Sequence, residues 1–123
     1  MHSKLKGNVG QFESASYLAK RGYSIFTEQG DLSKTDIIAE KDGKLYKIQC
    51  KSVYPKNKTL TLELRKTGPN YVYYYEQKDC DMFSVYDLEN EKLYWISNKI
   101  LLTHKRCFTF KIDIVSSFEN PLE

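Results

Sequence analysis

The alternation of apolar and polar positions resolves the chain into one helix followed by a series of strands. Between Asn8 and Gly22, Val9, Phe12, Ala15, Ser16 and Ala19 recur at helical spacing and predict a helix that turns this stripe inward. Asn8, with Gln11 three positions later, reads as a capping-box-like start, and Gly22 as the left-handed stop. Glu13 falls at the rim of the stripe. "YSIF" (23–26) predicts a first strand and "EQGDLSK" (28–34) a loop turned at Gly30 and Asp31. "TDIIAEKDGKLYKIQCKS" (35–52) reads as a hairpin, because Asp42-Gly43 is a strong signal for a two-residue type I′ turn.

That turn fixes a register. With Asp42 and Gly43 as the loop, Lys41 faces Lys44 and every cross-strand pair has position numbers summing to 85. Ile37 then faces Ile48, Ala39 faces Tyr46 and Thr35 faces Cys50 on one face, while Asp36 faces Gln49 on the other. Directly opposed side chains have Cβ atoms about 4.5–5.5 Å apart, and a diagonal neighbour such as Lys51 stands about 7–8 Å from Asp36.

Further on, "TLTLEL" (59–64) alternates as a strand between "VYPKNK" (53–58) and "RKTGPN" (65–70), both expected as loops. "YVYYYEQKDC" (71–80) fits a short helix or an extended segment. "MFSVYD" (82–87) and "KLYWIS" (92–97) predict a second hairpin. A short helix capped by Ser97 or Asn98 runs to Leu102, and "CFTFKIDIV" (107–115) is a last strand. A leading helix followed by strands points to an α/β (α+β) layer around a mixed sheet.

Composition narrows the class. At 123 residues the chain is expected to be one domain, 1–123. Hydrophobic residues at 41% and charged residues at 28% are ordinary for a globular protein. With no long apolar run and no signal-peptide pattern at the start, an intracellular, cytoplasmic protein without membrane contact is expected. Cys50, Cys80 and Cys107 are widely spaced and form no CxxC pair, so they read as reduced packing residues. The net charge of +3 permits a polyanionic partner without requiring one.

The chemistry lies in "YKIQCKS" (46–52). Hydrolysing a phosphodiester calls for a hard cation, and Mg²⁺ takes oxygen ligands from one or two carboxylates while keeping several waters. Asp36 can supply the carboxylate, Gln49 a neutral side-chain oxygen and Cys50 its backbone carbonyl. Lys51 would hold or deprotonate the attacking water, and Glu13 would act through water or on a second metal. Lys6, Ser33, Lys34, Ser52, Lys56 and Lys58 are candidates for DNA contact. His2 and His104 have no ligand-spaced neighbours, Trp95 reads as core, and the tyrosines at 71, 73, 74 and 75 as packing, interface or DNA-contacting residues.

A glutamate on a leading helix ("GQFESASYLAKRGY"), an aspartate at a strand start ("GDLSKTDIIAE") and a Lys two residues past the pairing position ("IQCKS") together resemble the PD-(D/E)XK nuclease superfamily. Residues 6–52 are similar to a small bacterial and phage branch that includes a cyanobacterial group I intron homing endonuclease, and 81–96 resemble the later hairpin more faintly. The resemblance implies a restriction-endonuclease-like core with an αβββ start. It also implies a Mg²⁺-dependent DNA endonuclease, with Mn²⁺ a possible substitute, that acts on double-stranded DNA as a homo-oligomer (dimer or tetramer) and leaves 5′-phosphate and 3′-hydroxyl ends. Thr35 stands in place of the family's Pro, and Gln49 in place of its usual acid, as it does in that branch. One negative charge fewer predicts a need for Mg²⁺ in the millimolar range. A homing, restriction-like or junction-resolving role is open, and the competing class is a nucleic-acid-binding domain that has lost the chemistry at position 49.

Overall fold

The structure, a computed structural model, describes residues 3–27 and 35–112. Helix α1 spans Ser3–Ala19 and is followed by β1 (Ser24–Thr27), β2 (Ile37–Lys41), β3 (Lys44–Val53), β4 (Thr59–Glu63), β5 (Arg65–Gly68), β6 (Tyr71–Tyr74), β7 (Met82–Asp87), β8 (Lys92–Ser97) and β9 (Cys107–Lys111). Two short 3-10 turns, Gln77–Asp79 and Asn98–Leu102, join β6 to β7 and β8 to β9. Five strands form a mixed sheet in the order β1-β2-β3-β7-β8, parallel at β3–β7 and antiparallel elsewhere. The pairs β4–β9 and β5–β6 make two separate ribbons. The α+β architecture expected from the sequence is present.

The sheet is buried on both faces. On one, Leu18 of α1 packs with Ile37, Ala39, Ile48 and Trp95. On the other, Phe83, Val85, Tyr94 and Ile96 meet Leu60, Leu62, Leu64, Tyr75 and Phe110. Burying a side chain such as Leu18 contributes about 1.5–3 kcal/mol.

The helix ends as expected and starts earlier than expected. The N–H of Tyr23 bonds to Leu18 O and that of Gly22 to Ala19 O, a Schellman closure made possible by Gly22 at φ +89°. The start is at Ser3, so Asn8 lies inside the helix rather than capping it. The inward row is also different. Gly10, Ser14 and Leu18 are buried, whereas Phe12 is 69% exposed and Ser16 and Ala19 face solvent. Close approach is the cause: Ser14 Oγ is hydrogen-bonded to Ser84 Oγ at 2.8 Å, and the N–H of Gly10 donates to Ser52 Oγ at 3.1 Å. A Cβ at position 10 would fall 2.1 Å from that oxygen, so small residues face the sheet and the bulky Phe12 cannot.

Asp42 at φ +53° and Gly43 at φ +80° form the expected two-residue turn, and the register holds from Lys41↔Lys44 to Ile37↔Ile48. The segment 65–74, expected as a loop followed by a helix or an extended stretch, is a hairpin with only Pro69 and Asn70 at its tip. Ser97 caps the second 3-10 turn by accepting from the N–H of Lys99. Residues 113–115 of the predicted last strand lie outside the described residues. Among the described residues no helix is long and apolar enough to cross a membrane.

Candidate active site

The site begins where β2 and β3 part. Their ladder stops at Ile37↔Ile48, and Asp36, just before it, gives its N–H to Ile48 O. Beyond this point β3 continues beside β7 alone, which frees the Cys50 N–H on the β2 side. The Asp36 carboxylate takes that N–H, Cys50 N to Asp36 Oδ2 at 2.8 Å. Asp36 is therefore held at the strand divergence and not in a regular pair with Gln49. Thr35 does not face Cys50 either: its hydroxyl donates to Asp79 O at 2.7 Å and pins this segment to the first 3-10 turn.

Alternation along β3 sends Gln49 and Lys51 to the face opposite α1, in register with Phe83 and Val85. Gln49 is 8% exposed, and its Oε1 is buried without a hydrogen-bond partner among the described residues. Leaving such an acceptor dry costs about 1–3 kcal/mol. Lys51 Nζ donates to the Tyr75 hydroxyl at 3.1 Å and lies 4.7 Å from that ring's centroid. Burial pulls the Lys51 ammonium below the ordinary lysine range, against the opposing pull of the Asp36 and Glu63 carboxylates. The Tyr75 phenol is pushed up by burial and then by Asp36.

The Asp36 carboxylate, the buried Gln49 oxygen and the desolvated Lys51 amine are the kinds of group that phosphodiester hydrolysis calls for. A family model described as PD-(D/E)XK endonuclease matches residues 1–117. The chain belongs to the PD-(D/E)XK endonuclease family. Among solved structures, the bacterial homing endonuclease I-Ssp6803I has the same fold. It is 23% identical, with a TM-score of 0.80, and the match covers 89% of this chain and 78% of that one. No curated protein matches the chain.

Within this PD-(D/E)XK endonuclease, the structure separates one expected member from the rest. Glu13 is exposed on α1, and its carboxylate helps to raise the phenol of Tyr86, a residue in register with Ser52. Because Ser52 meets Gly10, Glu13 stands on the helix side of the sheet, while Gln49 and Lys51 open on the other. Ser52 is thus engaged by the helix backbone. Cys50 turns its thiol toward Ser14 and Ser84, and burial pushes the thiol up to about 12, which leaves its backbone as the part available to the site.

Lys6 sits with Nζ 5.0 Å from the Tyr54 ring centroid. Lys56 and Lys58 are exposed in a tight turn, with Asn57 at φ +53° and Lys58 at φ +58°. Ser33 and Lys34 lie outside the described residues. Tyr75, which accepts from Lys51, and Glu63 and Lys66, the charges of which act on it, were not singled out as site members by the pattern of the sequence. The tyrosine tract was the available signal, and only the fold tells which of its rings reaches the lysine.

The donor set fits a hard divalent cation. Gln49 Oε1 is a neutral oxygen in want of a partner, and Asp36 adds charge. Among the described residues no three His, Cys, Asp or Glu side chains converge, so at most two such groups would share an ion with neutral oxygens.

Proposed function

We propose that this endonuclease cuts double-stranded DNA with Mg²⁺ as cofactor, Mn²⁺ able to replace it, and works as a homo-oligomer of two or four copies. The observation that carries the reading is the buried Oε1 of Gln49, without a partner among the described residues, on the face shared with Lys51, whose ammonium feels the Asp36 carboxylate held on the Cys50 N–H. Asp36, Gln49 and the Cys50 backbone carbonyl would hold the ion. When bound, Mg²⁺ neutralises charge developing on the phosphate. Lys51, whose ammonium burial disfavours, orients the attacking water and as the free amine takes up its proton; the water oxygen bonds to phosphorus as the P–O3′ bond breaks, and the 3′ oxygen takes a proton from solvent, leaving 5′-phosphate and 3′-hydroxyl ends. Glu13, on the helix side of the sheet, would act only on a second ion there.

Lys6, Ser33, Lys34, Lys56 and Lys58 are the proposed contacts to the DNA backbone, while Ser52 is held by the Gly10 N–H. A second copy would cover apolar area that Phe12, Phe26 and Leu45 each leave more than half exposed. The test is cleavage of linear, supercoiled and four-way DNA with and without Mg²⁺, comparing the natural chain with Asp36→Ala and Lys51→Ala. Cutting that needs the ion and both side chains supports the reading. Salt-dependent binding without any cutting makes the protein a DNA-binding domain on a nuclease scaffold.

A further inference from the structure

The β5–β6 ribbon is hydrogen-bonded to neither of the other sheets. It leaves the body at the site itself: the N–H of Tyr75 closes its base on Leu64 O at 3.0 Å, and Tyr75 is the residue that receives Lys51. Tyr73 on β6 is tied to Asp79 through its hydroxyl at 3.0 Å, and the Tyr71 ring lies over Gly68 so closely that a Cβ there would sit 2.0 Å from it. The register places Thr67 opposite Val72 and Arg65 opposite Tyr74 on one face. That face is open: Val72 is 53% and Tyr74 50% exposed, and Thr67 is exposed as well.

Charge identifies the partner. Residues 51–75 carry Lys51, Lys56, Lys58, Arg65 and Lys66 against Glu63 alone, five minus one or +4; of these Arg65 and Lys66 stand on the ribbon, Arg65 paired with Glu63, and Lys56 and Lys58 in the exposed turn before β4. A polyanion is the complement of such a stretch. Size selects the groove. Strands of four residues reach about 13 Å, and a two-stranded ribbon enters a major groove about 12 Å wide but not a minor groove of about 6 Å.

We infer that the β5–β6 ribbon reads target sequence, its Thr67, Val72 and Tyr74 side chains facing base edges in the major groove beside the scissile phosphate. The inference rests on the DNA endonuclease reading. Thr and Tyr hydroxyls can bond to base edges, and the Val72 methyls can meet a thymine methyl.

The test is selection from a randomised duplex pool by the full chain, with Ca²⁺ in place of Mg²⁺ to prevent cutting. The comparison variants are Thr67→Ala/Tyr74→Ala, Val72→Ser alone, and Lys56→Ala/Lys58→Ala. The natural chain is expected to enrich a motif. The ribbon variants should lose roughly tenfold or more of the preference for that motif while keeping random-duplex affinity within about threefold. The lysine variant should keep the motif and lower the salt slope by about two. An unchanged motif preference in both ribbon variants overturns the inference, and so does an equal loss of motif and random binding. A changed sedimentation coefficient for the ribbon variants would mark the ribbon as a subunit interface and also overturn it. Absence of any salt-dependent binding by the natural chain removes the DNA reading together with this one. A ribbon-dependent motif with no cutting in Mg²⁺ leaves the inference standing and removes the nuclease activity.

Discussion

Replacing Gln49 with Met keeps the length and approximate volume of a side chain that is 8% exposed and deletes the acceptor that finds no partner among the described residues. In the metal-free protein an Oε1 left without a partner costs about 1–3 kcal/mol, and an apolar replacement of similar shape removes that cost. Gln49→Met should therefore raise the melting temperature without metal by roughly 4 °C per kcal/mol recovered. The natural chain should respond to Mg²⁺ where the variant does not: at ten times the dissociation constant, ligation adds about 1.4 kcal/mol. Thermal unfolding with EDTA and with a Mg²⁺ series reads both effects, and DNA cleavage by the variant should be abolished. A variant that melts lower than the natural chain in EDTA, or that gains as much from Mg²⁺, would refute the assignment of this oxygen to a cation.

Three further outcomes follow from the same geometry. Tyr75→Phe keeps the ring under the Lys51 amine and removes the hydroxyl 3.1 Å from it, so steady-state cleavage should lose about one to two powers of ten in kcat with KM little changed, since a hydrogen bond to a charged group contributes about 1.5–3 kcal/mol; equal kcat would make Tyr75 a packing residue. Gly10→Ala should destabilise by about 1–3 kcal/mol in urea unfolding, because the new Cβ meets Ser52 Oγ at 2.1 Å, and adding Ser52→Ala should recover much of it, the next atom being 3.4 Å away; an additive double variant would exclude that clash.

The third outcome concerns alkaline pH. Burial raises the Cys50 and Cys80 thiols from 9.0 to about 12, so the folded state keeps protons that the unfolded chain releases. That contribution is complete below pH 9 and is lost as pH rises toward 12, while the lowered Lys51 works in the opposite sense. Urea midpoints should fall from pH 9 upward, and Cys80→Ala should start lower at pH 8 but fall less steeply. A flat profile in the natural chain would contradict the thiol burial.

What could be read in the sequence was local. The Asp42-Gly43 turn carries its own geometry, and counting outward from it gave the true partners of five residue pairs from Lys41↔Lys44 to Ile37↔Ile48. The count failed one residue further, at Asp36, because the strands part there, and that parting creates the site. The stripe on α1 was misplaced because hydrophobicity marks burial only where space is ample: where the helix backbone nearly touches β3, Gly10 and Ser14 are the inward residues. The β5–β6 hairpin was hidden by Gly68, Pro69 and Asn70, three turn-forming residues of which only the last two form the turn. The contact of Lys51 with Tyr75 spans 24 residues, and no periodicity within either strand encodes it.

The proposed mechanism needs one divalent ion shared by Asp36 and Gln49 at the mouth of the parted hairpin. Crystals of the chain with a DNA duplex and Mn²⁺, measured at the manganese absorption edge, test it directly. An anomalous peak is expected within coordination distance of an Asp36 carboxylate oxygen and of Gln49 Oε1, about 2.0–2.1 Å for the Mg²⁺ that Mn²⁺ replaces. A peak on the helix side beside Glu13 and Tyr86, with Gln49 Oε1 still uncoordinated, would contradict it.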